Sequence, residues 1–160
     1  MRRRNAILLG AAALTGCGFE LRRAPELNFR TVQLVGFTPH SPLADELRRS
    51  INTSQSTTVV ESSAQVLLEA LADAREKSVV ASTAAGQVRE IQVRARLNFR
   101  LRTPTGKELI APTEILLSRD MSYSESLALA KEQEESLLYR AMQSDIVAQV
   151  MRRLAAVPAL

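Results

Sequence analysis

From Ile91 to Arg102 the chain alternates without a break between apolar and polar residues. Ile91, Val93, Ala95, Leu97, Phe99 and Leu101 share one parity, while Gln92, Arg94, Arg96, Asn98, Arg100 and Arg102 share the other. A helix would scatter both sets around its axis, whereas a strand sends them to opposite faces. The segment therefore predicts a long strand with one buried and one polar face. Such a sheet is antiparallel or mixed, and its apolar face needs a covering layer.

The flanking segments supply that layer. Phe29 to Gly36 is rich in β-branched and aromatic residues and reads as a first strand. Ser41 as N-cap, Pro42 at the first helical position and the acids Asp45 and Glu46 mark a helix start. Leu43, Leu47 and Ile51 then give that helix an apolar face, and Thr57 to Val60 reads as a short strand. Ser62 to Val80 supports two readings. Val66, Leu67, Ala70, Leu71 and Ala74 form a helical stripe, yet Val66, Leu68, Ala70 and Ala72 alternate as a strand would.

Beyond the alternating segment, Thr103 to Lys107 is a turn, and Leu109 to Leu117 can return as a hairpin partner. Pro112 inside that return calls for an edge position or a bulge. From Ser122 the chain turns helical, with Ser122 and Glu125 at capping-box spacing. Leu138, Met142, Ile146, Val150 and Leu154 step by four, with Ala141 beside them. One straight helix would run about 50 Å, so a break between Ala130 and Glu135 is expected. The order of elements predicts an α+β fold with helices packed on one face of a mixed or antiparallel sheet.

At the N-terminus, Arg2, Arg3 and Arg4 precede an apolar run from Ala6 to Leu14 and the small residues before Cys17. This is the layout of an export signal, and the run falls well short of the roughly 20 residues of a membrane-spanning helix. Leu14-Thr15-Gly16-Cys17 resembles the bacterial lipobox, whose cysteine is acylated as the chain is cut before it. Residues 1–16 are then a cleaved signal peptide, 17–28 a lipidated tether bearing acyl groups such as palmitate, and 29–157 a single domain. Gly18 in place of aspartate directs such a lipoprotein to the outer membrane.

The formal charge of +4 includes the three leader arginines. Without them 18 Lys and Arg face 17 Asp and Glu, which argues against nucleic acid as a partner. Cys17 is the sole cysteine and His40 the sole histidine, so no zinc set exists, and no calcium loop is spaced in the carboxylates. G-x-S-x-G, H-E-x-x-H and Gly-rich phosphate loops are absent. The expectation is a protein with no catalytic residues, metal or cofactor. A tethered hydrolase using His40, or an adaptor for another envelope component, are the alternatives.

Arg94, Arg96, Arg100 and Arg102 make a ladder on the polar parity of the strand, about 6.7 Å between neighbours two apart. It suits anions, because the guanidinium fork donates paired hydrogen bonds to phosphate. It equally suits a solvated face neutralised by Glu108 or Glu114. Lys131 precedes Glu132, Glu134 and Glu135, and Lys131 with Glu135 has the spacing of an i,i+4 pair.

Cys17-Gly18-Phe19-Glu20-Leu21-Arg22 resembles the C-G-[FW]-x-L-R start of the LptE family of lipopolysaccharide-assembly lipoproteins. Leu127-Ala128-Leu129-Ala130-Lys131-Glu132-Gln133-Glu134, followed by a Met- and Arg-bearing helix, resembles that family's C-terminal signature. The resemblance implies an α/β sandwich of two helices on a roughly four-stranded sheet. It implies a non-enzymatic, lipid-anchored outer-membrane protein, facing the periplasm or lodged within the lumen of the barrel protein LptD. There it would plug the barrel and bind lipopolysaccharide on its way to the outer leaflet. It also turns Gln65 to Val80 into a strand, with a hairpin partner from Gln87 onward. The lysine matching the family's lipopolysaccharide contact is Lys131; Arg94, Arg96, Arg100 and Arg102 follow as a group, with Arg119 able to join. A second basic position of the family falls on Ala84, with Arg89 nearby as a substitute.

Overall fold

The alternating segment lies in β4 (Val88–Arg102), and the rest of the molecule is arranged around it. The computed structural model describes residues 25–54 and 56–159, so the signal segment, Cys17 and most of the tether lie outside it. All six apolar side chains from Ile91 to Leu101 are buried, and the intervening arginines are half-buried. β3 (Val66–Ser82) and β5 (Glu108–Ser122) pair antiparallel with β4 on its two sides. β1 (Thr31–Val35) runs parallel to β3, and the short β2 (Thr58–Val59) runs parallel to β1. The sheet has five strands in the order β2-β1-β3-β4-β5. It exceeds the four of the resemblance because the Thr57–Val60 segment joins the edge through two residues.

Both helices cover the apolar face. α1 (Pro42–Thr53) starts as its sequence dictates, with Ser41 Oγ accepting from the Ala44 N–H at 3.2 Å, and it buries Leu43, Leu47 and Ile51. α2 (Ala128–Ala155) buries Met142, Ile146, Val150 and Leu154 against Leu97, Phe99 and Leu101. Each such side chain removed from water contributes about 1.5–3 kcal/mol.

Three local expectations give way. α2 is unbroken through Ala130–Glu135; the irregularity is a 3-10 turn before it, Glu125–Leu127. Ser122 caps nothing, because it is the last residue of β5, and the Tyr123 N–H continues the ladder to Arg89 O at 2.8 Å. Ala141 is exposed rather than part of the apolar stripe. The predicted return strand extends to Glu108–Ser122, and Pro112 satisfies both expectations, lying on an edge strand beside a register shift.

The ambiguous stretch is strand, with one irregularity that reorganises it. Leu68 pairs with Leu101 and Ala70 with Phe99, but Ala72 pairs with Asn98. Leu71 is the extra residue of a β-bulge, so the side chains from Ala72 to Val79 change face, up to the next register shift. Ala72, which the alternation aligns with Val66, Leu68 and Ala70, therefore lies on the arginine face. Asp73, Arg75 and Lys77 turn toward the helices instead, opposite Leu97, Ala95 and Val93. Gly36 ends β1 beside this bulge with a φ of 77°, and a Cβ there would collide with the Ala70 carbonyl oxygen.

Both long hairpins close on the same five-residue turn, Thr83–Gln87 and Thr103–Lys107. In each the first threonine N–H donates to the last carbonyl, and a glycine with positive φ takes the fourth place. At the opposite end from the Thr83–Gln87 turn, Leu27 is buried and Asn28 Nδ2 donates to Val157 O at 2.7 Å.

Candidate functional site

The arginine ladder lies on the sheet face away from the helices, where strand periodicity puts it. The bulge at Leu71 decides what it meets. Glu69, before the bulge, and Glu76, after it, both face the arginines. One oxygen of Glu69, Oε2, accepts from Arg100 Nε and Arg102 Nε at 2.9 Å each. Glu76 Oε1 accepts from Arg96 at 3.0 Å, and Arg100 lies 3.8 Å from Glu108. The ladder is thus a lattice of alternating charge. Two guanidiniums bonded to one carboxylate hold the Glu69 pKa below the usual carboxylate range, and the same contact raises that of Arg100.

Arg94 is the ladder member without a carboxylate within 4 Å among the described residues; its Nε donates to Gln92 Oε1 at 2.6 Å. At the centre of the face, Arg96 Nε and Asn98 Oδ1 are buried without a hydrogen-bond partner among the described residues. A donor and an acceptor stand unpaired two residues apart on one strand face.

The remaining site residues are placed elsewhere. Lys131 sits on the first turn of α2 with its side chain 15% exposed, and its Nζ reaches Ser122 Oγ at 3.0 Å and Glu134 at 2.8 Å. The expected Lys131–Glu135 pair does not form, because Lys77 of β3 takes Glu135 at 2.6 Å. Arg119 does not join the ladder: it pairs with Val93 on the helix side of β5 and reaches Asp145 of α2 at 3.6 Å. Of the two expected neutralising acids Glu108 makes the one weak contact, and the principal partners are Glu69 and Glu76. His40 is exposed on a left-handed turn with φ 58°. Ala84 occupies the tip of the β3–β4 turn, and Arg89 is exposed beside it.

Sequence reasoning missed a polar network on the helix side. Arg75 Nη2 donates to Gln143 Oε1 at 2.6 Å, and its guanidinium lies 5.2 Å from the Tyr139 ring centroid. The Tyr139 hydroxyl donates to Glu76 O at 2.8 Å, and burial raises its pKa. Asp73 accepts from Ser41 Oγ, tying the N-cap of α1 to β3. A signal existed in Asp73, Arg75 and Lys77 sharing one parity, but its direction depends on the bulge.

Comparison with known proteins agrees with this architecture. The family model for LptE, described as lipopolysaccharide-assembly, matches residues 29–154. An LPS-assembly lipoprotein LptE of Pectobacterium atrosepticum is 26% identical over 154 residues, covering 92% of this chain and 83% of that protein. The solution structure of uncharacterized lipoprotein B from Nitrosomonas europaea superposes with a TM-score of 0.73 at 31% identity, covering 87% of this chain and 91% of that one. The rare lipoprotein B of Shewanella oneidensis shares the fold, with a TM-score of 0.66 at 20% identity over 79% of this chain and 95% of that one. With the family model spanning nearly all of the two-helix, five-strand domain, the chain belongs to the LptE family.

Proposed function

We propose that this chain is an outer-membrane lipoprotein, anchored through acylated Cys17, that seats in the lumen of the LptD barrel. There it binds lipopolysaccharide during assembly into the outer leaflet. The observation that carries this reading is the family match across residues 29–154. The relative named LPS-assembly lipoprotein supports it. So does the uncovered sheet face, whose lattice of arginine and glutamate offers a polar partner both charges. The unpaired Arg96 Nε and Asn98 Oδ1 favour a partner on that face, since a buried polar atom without a hydrogen bond costs about 1–3 kcal/mol. The role is non-enzymatic, and the domain comprises residues 29–157 behind a lipidated tether.

Lipopolysaccharide phosphates would meet Lys131 and the ladder from opposite layers of the domain. Arg94 is the ladder residue best free to accept one, and the others must share their guanidiniums with Glu69 and Glu76. Affinity purification of the chain from membranes tests the partner: a barrel of LptD size comes down with it, and its absence refutes the assignment. Cys17→Ser moves the domain to the soluble fraction when the barrel is missing; retention in the membrane refutes the anchor. Lys131→Asp weakens lipopolysaccharide binding at low salt, where charge contacts are least screened. It also removes the contacts of a mostly buried side chain with Ser122 and Glu134, so stability falls by about 1–2 kcal/mol and affinities are compared on folded protein. Equal affinity removes Lys131 from the site.

A further inference from the structure

A groove of about 390 Å³ runs between α1 and α2 above β3, on the opposite side of the sheet from the ladder. It opens where β1 ends at Val35, because β3 runs on past that point with no strand beside it on the β1 edge. Its wall carries Arg49 from α1, Arg75 from β3 and Arg140 from α2, with Asp45, Tyr139 and Gln143 among the other lining residues. Arg49 and Arg140 have no acidic partner within 4 Å among the described residues, and Asp45 is drawn to Arg48 at 3.3 Å. Three guanidiniums and one carboxylate line the groove, and the Glu46 carboxylate stands just behind Gln143, so cations remain in excess.

The floor of the groove is held in place. Gln143 is buried, and its amide nitrogen donates to Pro42 O at 3.1 Å and to the Glu46 carboxylate. With the nitrogen committed to α1, its oxygen faces β3 and accepts from Arg75. Stacking on Tyr139 fixes the plane of the same guanidinium. Arg75 therefore presents its remaining donors toward the groove with little freedom to lose on binding.

We propose that this groove is an anion site for a phosphomonoester. A phosphate monoester carries about −1.5 to −2 charges near neutral pH and three strong acceptor oxygens, more of both than a carboxylate brings to three guanidiniums. Guanidinium forks converging from three elements suit the several acceptor oxygens of phosphate. The site stands apart from the lipopolysaccharide reading, since none of its arginines belongs to the ladder or to the Lys131 cluster.

The test titrates the purified full-length chain with inorganic phosphate against chloride at matched ionic strength, following arginine Nε–H signals by NMR. Saturable shifts at Arg49, Arg75 and Arg140 are expected. Phosphate affinity falls at least tenfold in the double variant Arg49→Gln, Arg140→Gln, whose melting temperature is unchanged because both side chains are exposed. A parallel arm uses phosphatidylcholine vesicles with and without phosphatidic acid. Binding that needs phosphatidic acid and both arginines identifies a lipid headgroup as the source; a response to inorganic phosphate alone identifies a soluble phosphate. Shifts confined to Arg94–Arg102, no shift at all, or equal affinity in the double variant overturns the proposal.

Discussion

Glu69 and Glu76 stand seven residues apart on one strand, an odd separation, and yet both face the arginines of β4. A regular strand would send them to opposite faces. The extra residue at Leu71 reverses the parity between them, and the same reversal points Asp73, Arg75 and Lys77 at the helices. One inserted position thus sets the chemistry of both faces of the sheet.

Deleting Leu71 therefore exchanges the two faces of distal β3. It breaks the contacts of Asp73 with Ser41, Arg75 with Gln143 and Lys77 with Glu135. At roughly 1 kcal/mol for each hydrogen-bonded contact, the loss is about 3 kcal/mol. Leu71→Ala, at a half-exposed side chain, costs under about 0.5 kcal/mol. Urea midpoints of the two variants separate the role of the position from that of the side chain.

Glu69→Gln is expected to lower stability at pH 7 by roughly 0.5–1 kcal/mol. Because the two arginines depress the Glu69 pKa, its contribution is complete above the ordinary carboxylate value of 4.5 and fades as pH falls through the folded value. Wild-type and variant melting temperatures should run parallel from pH 8 down to about 5 and converge in stronger acid. A gap that persists at pH 2 contradicts the assignment.

The Lys77–Glu135 pair bridges β3 and α2, and the carboxylate raises the lysine pKa above its ordinary 10.5. The stabilisation is whole below that ordinary value and is lost as pH rises through the folded one. Glu135→Gln should cost roughly 0.2–1 kcal/mol at neutral pH, with the difference closing in strong alkali. Tyr139 is held above its ordinary value by burial and by the Glu135 charge, so the comparison is made in a Tyr139→Phe background, where only the lysine responds to the substitution.

Gly36 and Gly86 share a φ of 77°, but only at Gly36 does an added Cβ meet another atom. Gly86→Ala carries conformational strain alone, about 1–2 kcal/mol. Gly36→Ala adds the displacement of the Ala70 carbonyl and should cost at least about 2 kcal/mol more. Chemical denaturation of the two variants checks the order, and equal losses would place the close approach in doubt.

The sequence made β4 legible because burial on one face imposes an alternation that nothing local disturbs. Ser41 and Pro42 were legible for the same reason, since a cap is made by residues within one turn. β3 was not. Past Leu71 its inward residues are Asp73, Arg75 and Lys77, each satisfied by a helix far along the chain, so no apolar pattern marks the buried face. The Ser122–Glu125 spacing failed because the ladder to β4 offered Tyr123 a backbone partner before a helix could begin. Lys131 lost Glu135 to a lysine 58 residues from that acid. For the candidate site, the arginines could be read from parity and Glu108 as a neighbour, but the principal carboxylates, Glu69 and Glu76, could not.

The hydrogen bond between Asn28 and Val157 has a consequence for how the molecule is oriented. It brings the segment before β1 and the residues just past α2 together, so the segment leading into Leu27 joins the domain at that end. Lys131 lies 24 residues before the end of α2 at Ala155, about 36 Å along the axis. The Thr83–Gln87 turn caps the far end of β3 as well. A domain held by its leading segment would carry Lys131 and this turn at its free tip, so a ligand captured there is met most of a molecule's length from the point of attachment.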